Sequence, residues 1–194
     1  IDTSRIVDAE GMFDNGFYVT RVPLFDTSNV RNMSYMFRSC SKLTAVPLFD
    51  TSNAEEMEHM FEGCNKLETI PEFNTRNLRL AERMFYNCSS LTTVPLFDTS
   101  NVSAMIEMFT NCSSLTTVPL FNTSNVTRMT RTFVDCVQLT HVPELDMRNV
   151  EYFNSPFYGC SALTECRLRN IKADLQVGSG TSYGHLLTLD SLIH

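Results

Sequence analysis

The chain has no tryptophan, only seven glycines and no run of basic residues. Few glycines leave few places where a backbone can close tightly on a phosphate, and no Gly-x-Ser-x-Gly, phosphate-binding or dinucleotide motif is present. A formal net charge of −7 with scattered Lys and Arg argues against nucleic acid as a partner, because phosphate tracking needs a basic stripe. No stretch approaches the roughly 18 apolar residues of a membrane span, so insertion by this fragment is not expected. No Cys-x-x-Cys pair occurs among the seven cysteines, which removes the commonest zinc-site spacing. The opening residues Ile1-Asp2-Thr3-Ser4 read as the middle of a longer text, so the absence of a targeting segment says nothing about location.

What is present is a period. Pro23, Pro47, Pro71, Pro95, Pro119 and Pro143 lie 24 residues apart. Phe37 to Phe157, Leu43 to Leu163 and Asn29 to Asn149 keep the same step, as do Cys40, Cys64, Cys88, Cys112, Cys136 and Cys160. The period extends back through Met12-Phe13 and fades after Cys166, giving a leading partial repeat and six full repeats (23–46, 47–70, 71–94, 95–118, 119–142, 143–166). A fixed step of 20–29 residues predicts a solenoid with one coil per repeat, in which stacking makes the core that no single coil can bury.

Within a coil the apolar positions step mostly by three. Leu-x-x-Val ahead of proline has the style of a leucine-rich-repeat strand, expected near Thr44–Val46 and its equivalents and stopped by the missing proline N–H. After Thr-Ser-Asn, apolar residues at i, i+3, i+6 and i+7 predict a short helical or 3₁₀ turn, with Asp/Asn-Thr-Ser as its cap. The expected fold is therefore α/β: a right-handed leucine-rich-repeat solenoid of 24-residue coils over 1–166, with short parallel strands and short helical or 3₁₀ turns. Residues 167–194 are expected to cap it, with a strand over Ile171–Val177, a turn at Gly178-Ser179-Gly180 and the start of a helix near Leu186–Ile193 with Thr188 as its cap.

The combination Phe-x-x-Cys-Ser-x-Leu-Thr-x-Val with Phe-Asp-Thr-Ser-Asn-Val-x-x-Met-x-x-Met-Phe resembles the BspA-type leucine-rich repeats, nearest to their bacterial surface-protein branch. The resemblance covers about 1–166, although that branch often has a slightly longer repeat. It implies a binding or adhesive role at a bacterial surface or in a phage structural protein.

Six cysteines share one repeat position at core spacing. They are expected to form a reduced, buried ladder, with Cys166 standing where other coils have an aliphatic residue. The column Asp26, Asp50, Asn74, Asp98, Asn122, Asp146 and the Asn29–Asn149 column could hold calcium, but asparagine interrupts the first without compensation. Local side-chain to backbone bonds within each turn are the simpler expectation for both. The histidines His59, His141, His185 and His194 fall at unrelated repeat positions, so no metal and no cofactor is expected.

Positions that vary between coils point to function. The outward strand column runs Arg21, Ala45, Thr69, Thr93, Thr117, His141, Glu165; past proline a second runs Leu24, Leu48, Glu72, Leu96, Leu120, Glu144. Either these leucines form a semi-apolar stripe that a partner covers, or they lean into the core and only the glutamates turn outward. The candidate partner-binding residues are Arg21, Thr69, Thr93, Leu96, Thr117, Leu120, His141 and Glu165. On the other side Arg31, Glu55, Glu56, Glu58, Arg79, Glu82, Arg83, Glu107, Arg128 and Arg131 are expected to form a solvated face. With no catalytic motif present, the resemblance implies a non-catalytic binding module at a bacterial cell surface, expected to be monomeric and to take a protein or glycan. A phage structural or tail-associated protein and a side module of a larger enzyme are the alternatives.

Overall fold

The computed structural model describes residues 3–172, 175–177 and 187–189. Successive 24-mers stack as coils. Parallel bridges join Asp8 to Asn32, Asn32 to Glu56 and Glu56 to Leu80, and then Ala104 to Arg128 and Arg128 to Tyr152, each one repeat on. Five strands are assigned: β1 (His141–Asp146), β2 (Tyr152–Phe153), β3 (Glu165–Arg169), β4 (Gln176–Val177) and β5 (Leu187–Leu189). They form two parallel sheets, β1-β3-β5 on one side and β2-β4 on the other.

On the first side, single bonds such as Glu68 N–H to Thr44 O and Thr92 N–H to Glu68 O tie the early coils, and full strands appear only from His141 onward. Proline chemistry explains the contrast. Pro47, Pro71, Pro95 and Pro119 have no N–H to continue a ladder, whereas Arg167 stands at the proline position after coil six and does. The register slips between Val142 and Leu145, where Pro143 sits, so β1 carries one extra residue against β3.

The opposite side differs from expectation: among the described residues there is no helix. The segment after Thr-Ser-Asn is a chain of β-turns, with Met36 N–H bonding Met33 O and Cys40 N–H bonding Phe37 O. Alternate amides donate forward instead: Met33 to Glu56 O, Tyr35 to Glu58 O, Phe37 to Met60 O and Ser39 to Glu62 O. Each coil bends through two left-handed residues, for example Tyr35 (φ 58°) with Ser39 (φ 60°) and Glu107 (φ 50°) with Asn111 (φ 61°). A non-glycine residue there costs about 1–2 kcal/mol, which the forward hydrogen bonds offset.

The core is a set of columns. Phe13, Phe37, Phe61, Phe85, Phe109, Phe133 and Phe157 stack with neighbouring centroids 5.4–5.7 Å apart. Phe49, Phe73, Phe97 and Phe121 pack against that column at 5.9–6.3 Å. All seven cysteines are buried and free. In six coils the thiol donates to the carbonyl of the preceding coil's phenylalanine, from Cys40 to Phe13 through Cys160 to Phe133, at 2.9–3.2 Å.

The polar columns divide. At Asp26, Asp50, Asn74, Asp98, Asn122 and Asp146 the side-chain Oδ1 accepts the N–H two residues on, a bond within the turn that either an acid or an amide can make. Asn29, Asn53, Asn77, Asn101, Asn125 and Asn149 do not bond locally. Their Nδ2 groups reach a backbone carbonyl 25 residues earlier and staple each coil to the one before.

Beyond Cys166 the backbone keeps stacking though the text no longer repeats. β4 pairs with β2 (Tyr152 opposite Gln176), and β5 pairs with β3 (Arg167 opposite Thr188). Thr188 therefore lies in a strand and does not cap a helix, and of the described residues in the expected strand 171–177, Gln176–Val177 are in a strand, with 173–174 outside the described residues. The turn expected at 178–180 and the remainder of the helix expected over 186–193 lie outside the described residues.

Candidate interaction face

The strand side presents two adjacent columns to water. Leu24, Leu48, Leu96 and Leu120 are 67, 61, 58 and 61% exposed, which decides between the two readings of the stripe: these leucines point out. Backbone geometry turns them. Phe49 N–H bonds Pro47 O and Phe73 N–H bonds Pro71 O, so the central residues Leu48 and Glu72 swing outward while phenylalanine enters the core. In the neighbouring column Arg21, Thr69, Thr93 and Thr117 are exposed, and His141 and Glu165 are half-buried.

The two columns end in a charged cluster. His141 Nδ1 lies 3.5 Å from Glu165 Oε2, and Arg167 Nε donates to Glu165 Oε1 at 2.9 Å. Arg169 bridges Glu144 Oε1 at 2.9 Å and Asp146 Oδ2 at 3.1 Å. Asp146 is buried and also accepts from Arg148 and Asn170. Burial pushes its carboxyl up, but the bonds from Arg148 and Asn170 and the charge of Arg169 outweigh that and hold it at about 2. Two hollows flank the cluster. One of about 320 Å³ is lined by Leu120, Thr123, Glu144, Asp146 and Arg169, and one of about 480 Å³ by Leu120, His141, Pro143, Glu144, Glu165 and Arg167. Thus the structure brings Leu120, His141 and Glu165 together, while Arg21, Thr69, Thr93, Leu96 and Thr117 lie in earlier coils of the same face.

The turn side is only partly the solvated face expected. Glu107 is buried, with Oε2 2.5 Å from Arg83 and Oε1 3.6 Å from Arg131, its equivalents in the coils before and after. Arg31, Glu55 and Arg79 repeat the alternation at 3.3 and 3.6 Å. Identical stacked coils would set like charges about 5 Å apart; these columns alternate sign instead. His59 pairs with Glu62 and stacks on Tyr35.

Among the described residues no group of three or more His, Cys, Asp or Glu side chains converges as an ion site. Burial pushes the Cys64, Cys88 and Cys112 thiols far up and Cys166 to about 12, so at neutral pH these four are protonated and poor nucleophiles, and the first three donate hydrogen bonds. The strand side offers contacts along a line.

Two overlapping stretches, 1–94 and 87–173, match the family described as "Mycoplasma protein of unknown function, DUF285". The chain belongs to that family. No curated protein matches it. Among solved structures, this DUF285 chain is similar to a leucine-rich repeat protein of T. pallidum, with 24% identity over 81% of this chain and 72% of that one, at a TM-score of 0.58. It is also similar to a leucine-rich repeat protein from Eubacterium ventriosum, with 23% identity and a TM-score of 0.60. The match covers 82% of this chain and 41% of the Eubacterium one. These likenesses show a leucine-rich-repeat fold in this DUF285 chain.

Proposed function

We propose that the chain is a non-catalytic binding module of BspA type, a right-handed solenoid over 1–166 with 167–194 as its cap, that takes a protein partner along its strand side. One observation carries this reading: four leucines from four coils stand in one exposed column, interrupted once by Glu72 and ending in a cluster of charged side chains. A soluble surface gains nothing from aligning apolar side chains unless something covers them. A polar rim beside the row supplies orientation. A glycan would find few donors along the leucines, so the apolar row favours protein. Display on a bacterial surface, which rests on the resemblance of the repeat phrases, and a monomeric state belong to the same proposal.

The test is capture on a panel of purified extracellular proteins, with the chain immobilised and a doubly substituted Leu96→Glu/Leu120→Glu chain beside it. The reading expects one panel member to bind the original chain and to lose at least tenfold in affinity on the substituted one, with both chains unfolding at the same temperature. Equal capture by both chains would remove the strand side as the site.

A further inference from the structure

The leucine row has a second, longer period. Residues 71–78 (Pro-Glu-Phe-Asn-Thr-Arg-Asn-Leu) and 143–150 (Pro-Glu-Leu-Asp-Met-Arg-Asn-Val) share proline, glutamate, arginine and asparagine, and Tyr86 recurs as Tyr158, all 72 residues apart. No other full repeat carries glutamate after its proline. The face therefore reads Leu24, Leu48, Glu72 and then Leu96, Leu120, Glu144: one three-coil unit written twice.

The two units differ around their glutamates. Glu144 is occupied: Arg169 lies 2.9 Å from Oε1, beside the hollow lined by Leu120. Glu72 is exposed between exposed Leu48 and Leu96 one coil to either side, whereas Glu144 has exposed Leu120 on one side and Arg167 and Arg169 on the other; among the described residues no cation is within ion-pair distance of Glu72. Asn74 replaces Asp146 beneath it, so the side chain of Arg76, the equivalent of Arg148, makes no bond within its own turn and instead lies in the field of Asp50 one coil earlier. The chain shows at its own C-terminal end which group this acid takes beside an outward leucine, namely a guanidinium.

We propose that Leu48, Glu72 and Leu96 form a docking site for an arginine or lysine that a partner protein presents between apolar side chains. Leu120 and Glu144 form the corresponding half of a second site, held shut by the chain's own Arg169. This rests on the reading of the strand side as the binding face. It adds the partner's chemistry: a cationic side chain flanked by apolar ones, complementary to Leu-Glu-Leu and to a chain of net charge −7. It also adds a count, one open site and one latent.

The experiment is a leucine-methyl NMR titration of the whole chain with the peptide acetyl-Leu-Ser-Arg-Ser-Leu-amide and its counterpart with glutamate in place of arginine. The arginine peptide is expected to shift Leu48 and Leu96, saturating at one equivalent, and the glutamate peptide to bind about tenfold more weakly or less. Glu72→Lys should reverse that order. Arg169→Ala should open the second site, adding shifts at Leu120 and raising the stoichiometry to two; if that chain fails to fold, the Glu72→Lys result decides alone. Equal shifts by both peptides at the leucines would overturn the cation site and leave the apolar face standing. An order unchanged by Glu72→Lys would overturn it, and so would an absence of shifts at Leu48 and Leu96. Loss of the strand side itself is read separately, by equal capture with Leu96→Glu/Leu120→Glu.

Discussion

The thiol of Cys88 donates to the carbonyl of Phe61, 27 residues earlier in the chain and one coil away in space, at 3.1 Å. This bond explains why cysteine holds a position that aliphatic residues of similar size could fill. The side chain must be small enough for a packed column and must also satisfy a buried carbonyl. Cys88→Ala should destabilise by about 2 kcal/mol, from the lost volume and the orphaned acceptor together. Urea unfolding measures it. A change under about 0.5 kcal/mol would mean that the ladder is incidental.

The same burial sets an alkaline limit. A thiol pushed up by folding holds its proton more tightly in the native state, so its contribution is complete below the ordinary value of 9.0 and is lost as pH rises toward the folded value, about 12 for Cys166. Stability should be flat from pH 6 to 8 and fall above pH 9. Cys166→Val restores the residue found at Val94, Val118 and Val142. It should be near neutral at pH 7 and should flatten part of the alkaline fall in thermal scans.

Asp146 sets an acid limit with the opposite sign. Its carboxyl is held at about 2, below the ordinary 3.8, so its contribution is present above 3.8 and is lost as pH falls from there toward 2. Asp146→Asn, the residue already used at Asn74 and Asn122, should lower the melting temperature at pH 7 and weaken its dependence between pH 4 and 2. An unchanged acid slope would place the acid limit elsewhere.

Ser39 sits at φ 60°, and the same position one coil later is Gly63. Ser39→Gly should stabilise by about 0.5–1 kcal/mol by relieving the left-handed backbone, net of glycine's greater entropy when unfolded. A loss of stability would show that the side chain matters more than the backbone there.

These details also mark where the sequence stops being legible. The 24-residue step predicts stacked coils because a period is visible whatever the backbone does within it. The burial of Phe37, Cys40 and Leu43 follows in the same way. The helix expected after Thr-Ser-Asn fails because apolar spacing of three fits a 3₁₀ helix and a chain of β-turns equally. Only the destination of the Met33, Tyr35 and Phe37 amides separates the two, and no pattern of side chains records that destination. Left-handed residues such as Tyr35, His59, Arg83 and Glu107 are invisible for a related reason: glycine announces that conformation, and here neighbouring coils impose it on bulky residues. The Arg83–Glu107–Arg131 column was legible, since its members lie 24 apart, but it needed attention to sign as well as to position. The outward leucines stayed ambiguous because the bend at Pro47–Phe49 is a backbone property.

The central claim is that each 24-residue repeat is one coil that adds one strand spacing to a single stack. Deleting residues 71–118, two whole coils, joins Ile70 to Pro119 in register and tests this directly by small-angle X-ray scattering. The account predicts a folded, cooperatively melting protein whose maximum dimension is shorter by roughly 10 Å. An unfolded chain, or a folded one of unchanged length, would contradict it.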